Sequence, residues 1–172
     1  MSRRFRILFV CSGNSCRSPM AEGILRAKLP PHLRHRILIR SAGTLGIDDA
    51  PATPLAIRAA AERGADISAH RSQGVSKKLV DWADLILVME QDHVRFLKKH
   101  YPEAGERVYL LRTFARPPQE IADNGEVPDP IGGDLTTYRE CADLIAREVD
   151  RIVPVLNDLV VVRETGERRD VG

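Results

Sequence analysis

The sequence predicts an α/β fold: a single three-layer domain built on a four-stranded parallel sheet flanked by helices. Three observations lead there. Short apolar runs rich in β-branched residues alternate with longer segments of helical period, the signature of strand–helix–strand units. The first two apolar runs are closed by turn residues, a Ser/Gly/Asn cluster and Gly43. The chain has 172 residues, 43% of them hydrophobic and 29% charged, enough to bury one core without disulfide or metal staples.

The elements follow in order. Phe5–Val10 (FRILFV) reads as a buried strand that stops at a Gly/Ser/Asn cluster. A helix opens at Ser18, with Pro19 in its first turn, where a missing N–H costs nothing, and Met20, Ile24, Leu25 and Leu29 on one face. Pro30-Pro31 end it. Ile37–Ala42 is the second strand, closed by Gly43. Thr53-Pro54 starts an alanine-rich helix through Arg63, stopped by Gly64. A short helix at Lys77–Trp82, a strand at Leu85–Met89, a helix at Gln91–His100 and a shorter strand at Val108–Leu111 follow. Arg116–Pro130 reads as a long polar, proline-rich loop of the kind that carries function. Thr136–Ile152 is amphipathic, and Pro154 is expected to kink the helix or force a restart. Residues 1–162 form the domain, and the polar tail 163–172 is expected to fray.

Parallel strands joined through helices wind right-handed, and such sheets bind ligands beyond the carboxyl ends of their strands. The loop after the first strand is therefore the edge to inspect. A net charge of +2 gives no reason to expect nucleic acid, and no apolar run approaches the length of a membrane span. Three cysteines without a secretory signal point to a reducing cytoplasm, where free thiols are structural, metal-binding or catalytic.

That loop reads Cys11-Ser12-Gly13-Asn14-Ser15-Cys16-Arg17-Ser18. Successive N–H groups in such a turn converge into an anion-binding concavity, and the next helix adds its positive end. Gly13 and Asn14 suit left-handed backbone angles. The thiolate is the reactive form of cysteine, and the N–H groups, the Ser18 hydroxyl and Arg17 are the donors that would hold a sulfur anion at Cys11. Arg17 can also clamp two phosphoryl oxygens bidentately. A zinc site using Cys11, Cys16, His32 and His35 is the competing chemistry, but its spacing departs from that of zinc fingers, and the histidines read as a solvated basic turn. No metal or cofactor is expected. Phosphoryl transfer to Cys11 also needs a proton donor for the leaving group. Asp129, stiffened between Pro128 and Pro130, is the candidate, with Asp123 and Asp134 as neighbouring alternatives.

Phe9-Val10-Cys11 through Arg17-Ser18-Pro19-Met20-Ala21-Glu22 resembles the signature of the low-molecular-weight protein-tyrosine-phosphatase family. The resemblance implies a phosphate loop formed by Ser12, Gly13, Asn14, Ser15, Cys16 and Ser18, with Cys11 as nucleophile, Arg17 as clamp and Asp129 as acid. It implies that His70, in Asp66-Ile67-Ser68-Ala69-His70-Arg71, braces Asn14, and that Ser41 has a comparable supporting place. It also allows a reversible Cys11–Cys16 disulfide, although a plain packing role suits Cys16 equally. The implied substrate is a phosphorylated protein and the product inorganic phosphate.

The expected function is a protein-tyrosine phosphatase working through a cysteinyl-phosphate, with protein-arginine phosphatase as the alternative. Ala52-Thr53-Pro54 and Asp129-Pro130-Ile131-Gly132-Gly133 look more like the bacterial branch that contains arginine phosphatases. In that branch a threonine at the place of Ser15 helps choose phosphoarginine, whereas tyrosine enzymes carry a bulky aliphatic residue there. The aromatic walls of tyrosine enzymes are replaced here by Leu45, Ile47 and Ile131. Arsenate reduction fits poorly, because Trp82–His100 contains no relay cysteine and Cys141 stands alone. A non-catalytic phosphate-binding module would have no need of both nucleophile and acid.

Overall fold

The computed structural model describes residues 3–169; the last three residues of the expected tail lie outside the described residues. Its strands are β1 (Phe5–Cys11), β2 (Ile37–Gly43), β3 (Leu85–Val88) and β4 (Val108–Leu110). Its helices are α1 (Arg17–Lys28), α2 (Pro31–Arg34), α3 (Pro54–Ala61), α4 (Lys77–Trp82), α5 (Gln91–His100) and α6 (Leu135–Arg169). The strands form one parallel sheet in the order β2-β1-β3-β4.

Alternation along β1 divides the core into two layers. Ile7, Phe9 and Cys11 face one apolar layer with Met20, Ile24 and Leu25 of α1 and Ala142, Ile145 and Val149 of α6. Leu8 and Val10 face the other, with Leu79 and Val80 of α4 and Leu97 of α5. Both faces of β1 are dry, which explains why its sequence is a continuous apolar run.

The chain leaves β1 toward β2 on one side, then crosses back to β3 on the other. This reversal makes the crevice beyond β1 and β3 the topological switch point. The register pairs Cys11 with Gly43, so β2 ends directly beside the start of the Cys11–Ser18 loop.

Most expected boundaries agree with the structure to within two residues. The last helix is the correction. It does not restart at Pro154 but runs on to Arg169, so residues 163–169 are helical where fraying was expected. Pro154 lies on the exposed face, while Ile152, Leu156 and Val160 remain buried on the inner one. Each buried aliphatic side chain is worth about 1.5–3 kcal/mol, so the group outweighs the roughly 3 kcal/mol cost of an interior proline. Among the described residues no helix is long and apolar enough to cross a membrane.

Candidate active site

The carbonyls of the Cys11–Ser18 loop are tied down on its outside. The N–H groups of Thr44 and Leu45 bond the carbonyls of Cys11 and Ser12 at 2.9 Å each, Thr53 N–H bonds Ser15 at 3.0 Å, and Met20 N–H bonds Cys16 at 3.1 Å. His70 Nε2 donates to the Asn14 carbonyl at 2.7 Å. A planar trans peptide sets its N–H opposite its C=O, so carbonyls turned outward leave the N–H groups facing the inside of the turn. Asn14 supplies the bend with φ of 56°, a left-handed angle that asparagine tolerates.

The Asn14 side chain is fully buried and every polar atom on it is used. Its Nδ2 donates to Ser18 Oγ at 2.8 Å and to Ser41 Oγ at 3.0 Å, and its Oδ1 accepts the Gln73 N–H at 3.0 Å. The Ser41 hydroxyl donates in turn to Glu22 Oε1 at 2.7 Å. Ser18 Oγ, already accepting from Asn14, lies 2.9 Å from Cys11 Sγ and has its proton free to donate to the sulfur.

Arg17 is only 2% exposed despite its charge. A buried guanidinium needs partners on each nitrogen. Its Nη1 donates to the Val127 carbonyl at 2.9 Å and pairs with Glu90 at 2.9 Å, and its Nη2 reaches Ser12 Oγ and Asp129 Oδ2, both at 3.4 Å. The other oxygen of Asp129 accepts the Ile131 N–H at 3.1 Å, which fixes the carboxyl against its own loop.

Of the three candidate acids, Asp129 is the one placed beside Arg17. Asp123 accepts the Gly125 N–H and binds Arg112, which hold its carboxyl below the ordinary range. Asp134 caps α6 through the N–H and hydroxyl of Thr137, with the same effect on its acidity. Gly13 lies against Ser15, since a Cβ there would stand 3.3 Å from Ser15 Oγ. Cys16 is buried between Thr53 Oγ1 and the Tyr138 hydroxyl, at 3.5 and 3.4 Å. Cys11, Cys16 and Cys141 are free thiols, and burial pushes Cys141 up to about 12.

The family model for low molecular weight phosphotyrosine protein phosphatase matches residues 6–161, which include the whole loop, Asp129 and most of α6. The chain belongs to the low molecular weight phosphotyrosine protein phosphatase family. It is 34% identical to a protein-arginine-phosphatase of Geobacillus stearothermophilus, over 88% of this chain and 96% of that one. It is 36% identical to a probable low molecular weight protein-tyrosine-phosphatase, EpsP, of Ralstonia nicotianae, over 89% and 97%. Among solved structures, the YwlE arginine phosphatase of Geobacillus stearothermophilus superposes with a TM-score of 0.80 at 32% identity, covering 91% of this chain and 96% of that one. A low molecular weight protein tyrosine phosphatase from T. tengcongensis gives 0.77 at 35%, covering 87% and 98%.

Several groups of this phosphatase site were not anticipated from sequence. Glu22, Gln73, Glu90, His93 and Tyr138 each contact the loop or a group that contacts it. Glu22 lies within the quoted motif, and its position one helical turn beyond Ser18 could have marked it. The other four come from distant segments, and no spacing in the sequence connects them to the loop.

Proposed function

We propose that this low molecular weight phosphatase removes phosphoryl groups from proteins through a cysteinyl-phosphate on Cys11. The observation that supports the reading is a Ser18 donor beside Cys11 Sγ in the same loop whose buried Arg17 guanidinium holds the Asp129 carboxyl. The Cys11 thiolate attacks phosphorus, the bond from phosphorus to the leaving atom breaks, and protonated Asp129 gives its proton to that atom. Asp129, now a carboxylate, takes a proton from water as the water oxygen attacks phosphorus. The S–P bond breaks, inorganic phosphate leaves and the thiolate is restored. Arg17 and the loop N–H groups opposite the outward carbonyls, those of Ser12, Gly13, Ser15, Cys16 and Arg17, hold the equatorial oxygens throughout. Asn14, Ser41 and His70 keep that turn in shape. The residues supply all the groups these steps require, and a nucleophile that works as a free thiol suits the cytoplasm.

Phosphotyrosine is the first substrate class and phosphoarginine the second. The second is favoured by the small hydroxyl of Ser15 and by the aliphatic Leu45, Ile47 and Ile131 around the mouth. Aryl-phosphate hydrolysis by the wild type should vanish in Cys11→Ser. Asp129→Ala should lose at least tenfold in kcat, most for poor leaving groups; turnover surviving in Cys11→Ser would overturn the mechanism. A competition assay with phosphotyrosine and phosphoarginine peptides decides the class, and Ser15→Ile should shift the ratio toward phosphotyrosine.

A further inference from the structure

His93 opens the first turn of α5, is 2% exposed and plays no part in the steps above. Both of its ring nitrogens are engaged. Nδ1 lies 3.0 Å from the backbone N of Glu90, a group that can only donate, so Nδ1 is the acceptor and the proton of the neutral ring is on Nε2. Nε2 lies 2.9 Å from Ser12 Oγ, which makes Ser12 the acceptor there. Arg17 Nη2, another obligatory donor, reaches the same oxygen at 3.4 Å.

A serine oxygen has two lone pairs and one proton. With His93 and Arg17 on the lone pairs, Ser12 can only give its proton away. Ser12 directly follows Cys11 in the turn that encloses the anion site. We propose that His93 is a positioning residue of the phosphate loop, fixing the Ser12 hydroxyl as a donor to an oxygen of the bound phosphoryl group. The inference rests on the reading of Cys11–Ser18 as a phosphoryl site.

The ring is suited to this work because it stays neutral. Burial and the Arg17 charge lower its pKa to about 4, against the opposing pull of Asp92, Glu126 and Asp129. A second proton on the ring would break the Glu90 bond and set a second cation beside Arg17.

The test is a double-mutant cycle that separates this role from the capping of α5. His93→Asn keeps an acceptor for the Glu90 N–H but is too short to reach Ser12, whereas His93→Gln retains an N–H donor at about the reach of Nε2. Inorganic phosphate affinity and aryl-phosphate kcat/KM are measured for wild type, Ser12→Ala, His93→Asn, His93→Gln and the Ser12→Ala/His93→Asn double variant. Each of Ser12→Ala and His93→Asn should weaken both readouts about tenfold, the worth of one buried hydrogen bond. The double variant should be no worse than threefold below either single one, and His93→Gln should recover most of the loss. Losses that multiply to about a hundredfold would overturn the proposal. So would a His93→Asn protein that melts earlier but binds phosphate like the wild type. Phosphate affinity reads the coupling even if no ester is hydrolysed, so a failed phosphatase reading and a failed positioning role give different results.

Discussion

His93 and Asn14 are buried beside the loop, where solvent cannot compete for their hydrogen bonds. A histidine held neutral in the fold but free to protonate when unfolded makes stability depend on pH. Its folded pKa of about 4 lies below the ordinary 6.5, so between these values the unfolded chain binds more protons. Stability from this group is complete above pH 6.5, falls as pH drops toward 4, and levels off below. The full effect is about 3 kcal/mol, at 1.36 kcal/mol for each pH unit of separation. Urea titrations from pH 7.5 to 4 should therefore show a steeper acid loss for wild type than for His93→Asn; parallel curves would contradict a buried neutral imidazole. Cys11, Arg17 and Asp129 could be singled out as candidates from the sequence because each belongs to a local motif or a stiff Pro-Asp-Pro segment. His93 could not, because it stands 81 residues from its partner Ser12 and only the sheet order brings them together.

At the scale of elements, the register of β1 against β2 decides the shape of the loop. A Cβ on Gly43 would stand 2.5 Å from the Ser12 carbonyl and 2.9 Å from the Asn14 nitrogen, both backbone atoms with little room to yield. Gly43→Ala should weaken phosphate binding at least tenfold while the circular dichroism spectrum stays native; unchanged binding would mean that β2 does not constrain the loop. Helix α6 gives a prediction of opposite sign. Pro154 is exposed and lacks the N–H its turn would use, so Pro154→Ala should raise unfolding stability by about 1–3 kcal/mol in a urea titration. The strands and most helices were readable because their apolar periods and their stop residues agree. For α6 the two signals conflict. Ile145, Val149, Ile152, Leu156 and Val160 carry the helical period through the proline, and burial of that face overrides the local rule.

Across the whole molecule, α6 spans about 50 Å at 1.5 Å per residue and ties the site to the opposite rim of the sheet. Near its start Tyr138 touches Cys16. Toward its end Arg163 pairs with Asp84 at 2.7 Å and lies over the Phe5 ring, and Glu164 pairs with Arg36 at 2.7 Å. These pairs are partly solvated, so removing residues 163–172 should cost only about 1–2 kcal/mol in thermal or urea unfolding. Aryl-phosphate kcat/KM should be unaffected, and a loss of activity would show that the far rim supports the site. The layered fold and the ligand-binding edge were evident in the alternation of strands and helices. The choice between a phenol and a guanidinium leaving group was not, because several side chains proposed to make it pack against little. Asn14, Ser18 and Ser41, which shape the anion turn, are buried, whereas Leu45 is 67% and Ile131 62% exposed. Exposed positions accept substitution at little cost to folding. On the proposed reading, a lineage built on this scaffold can exchange one class of phosphorylated residue for another by altering Ser15 and the outer rim, inheriting the reaction unchanged while its targets diverge.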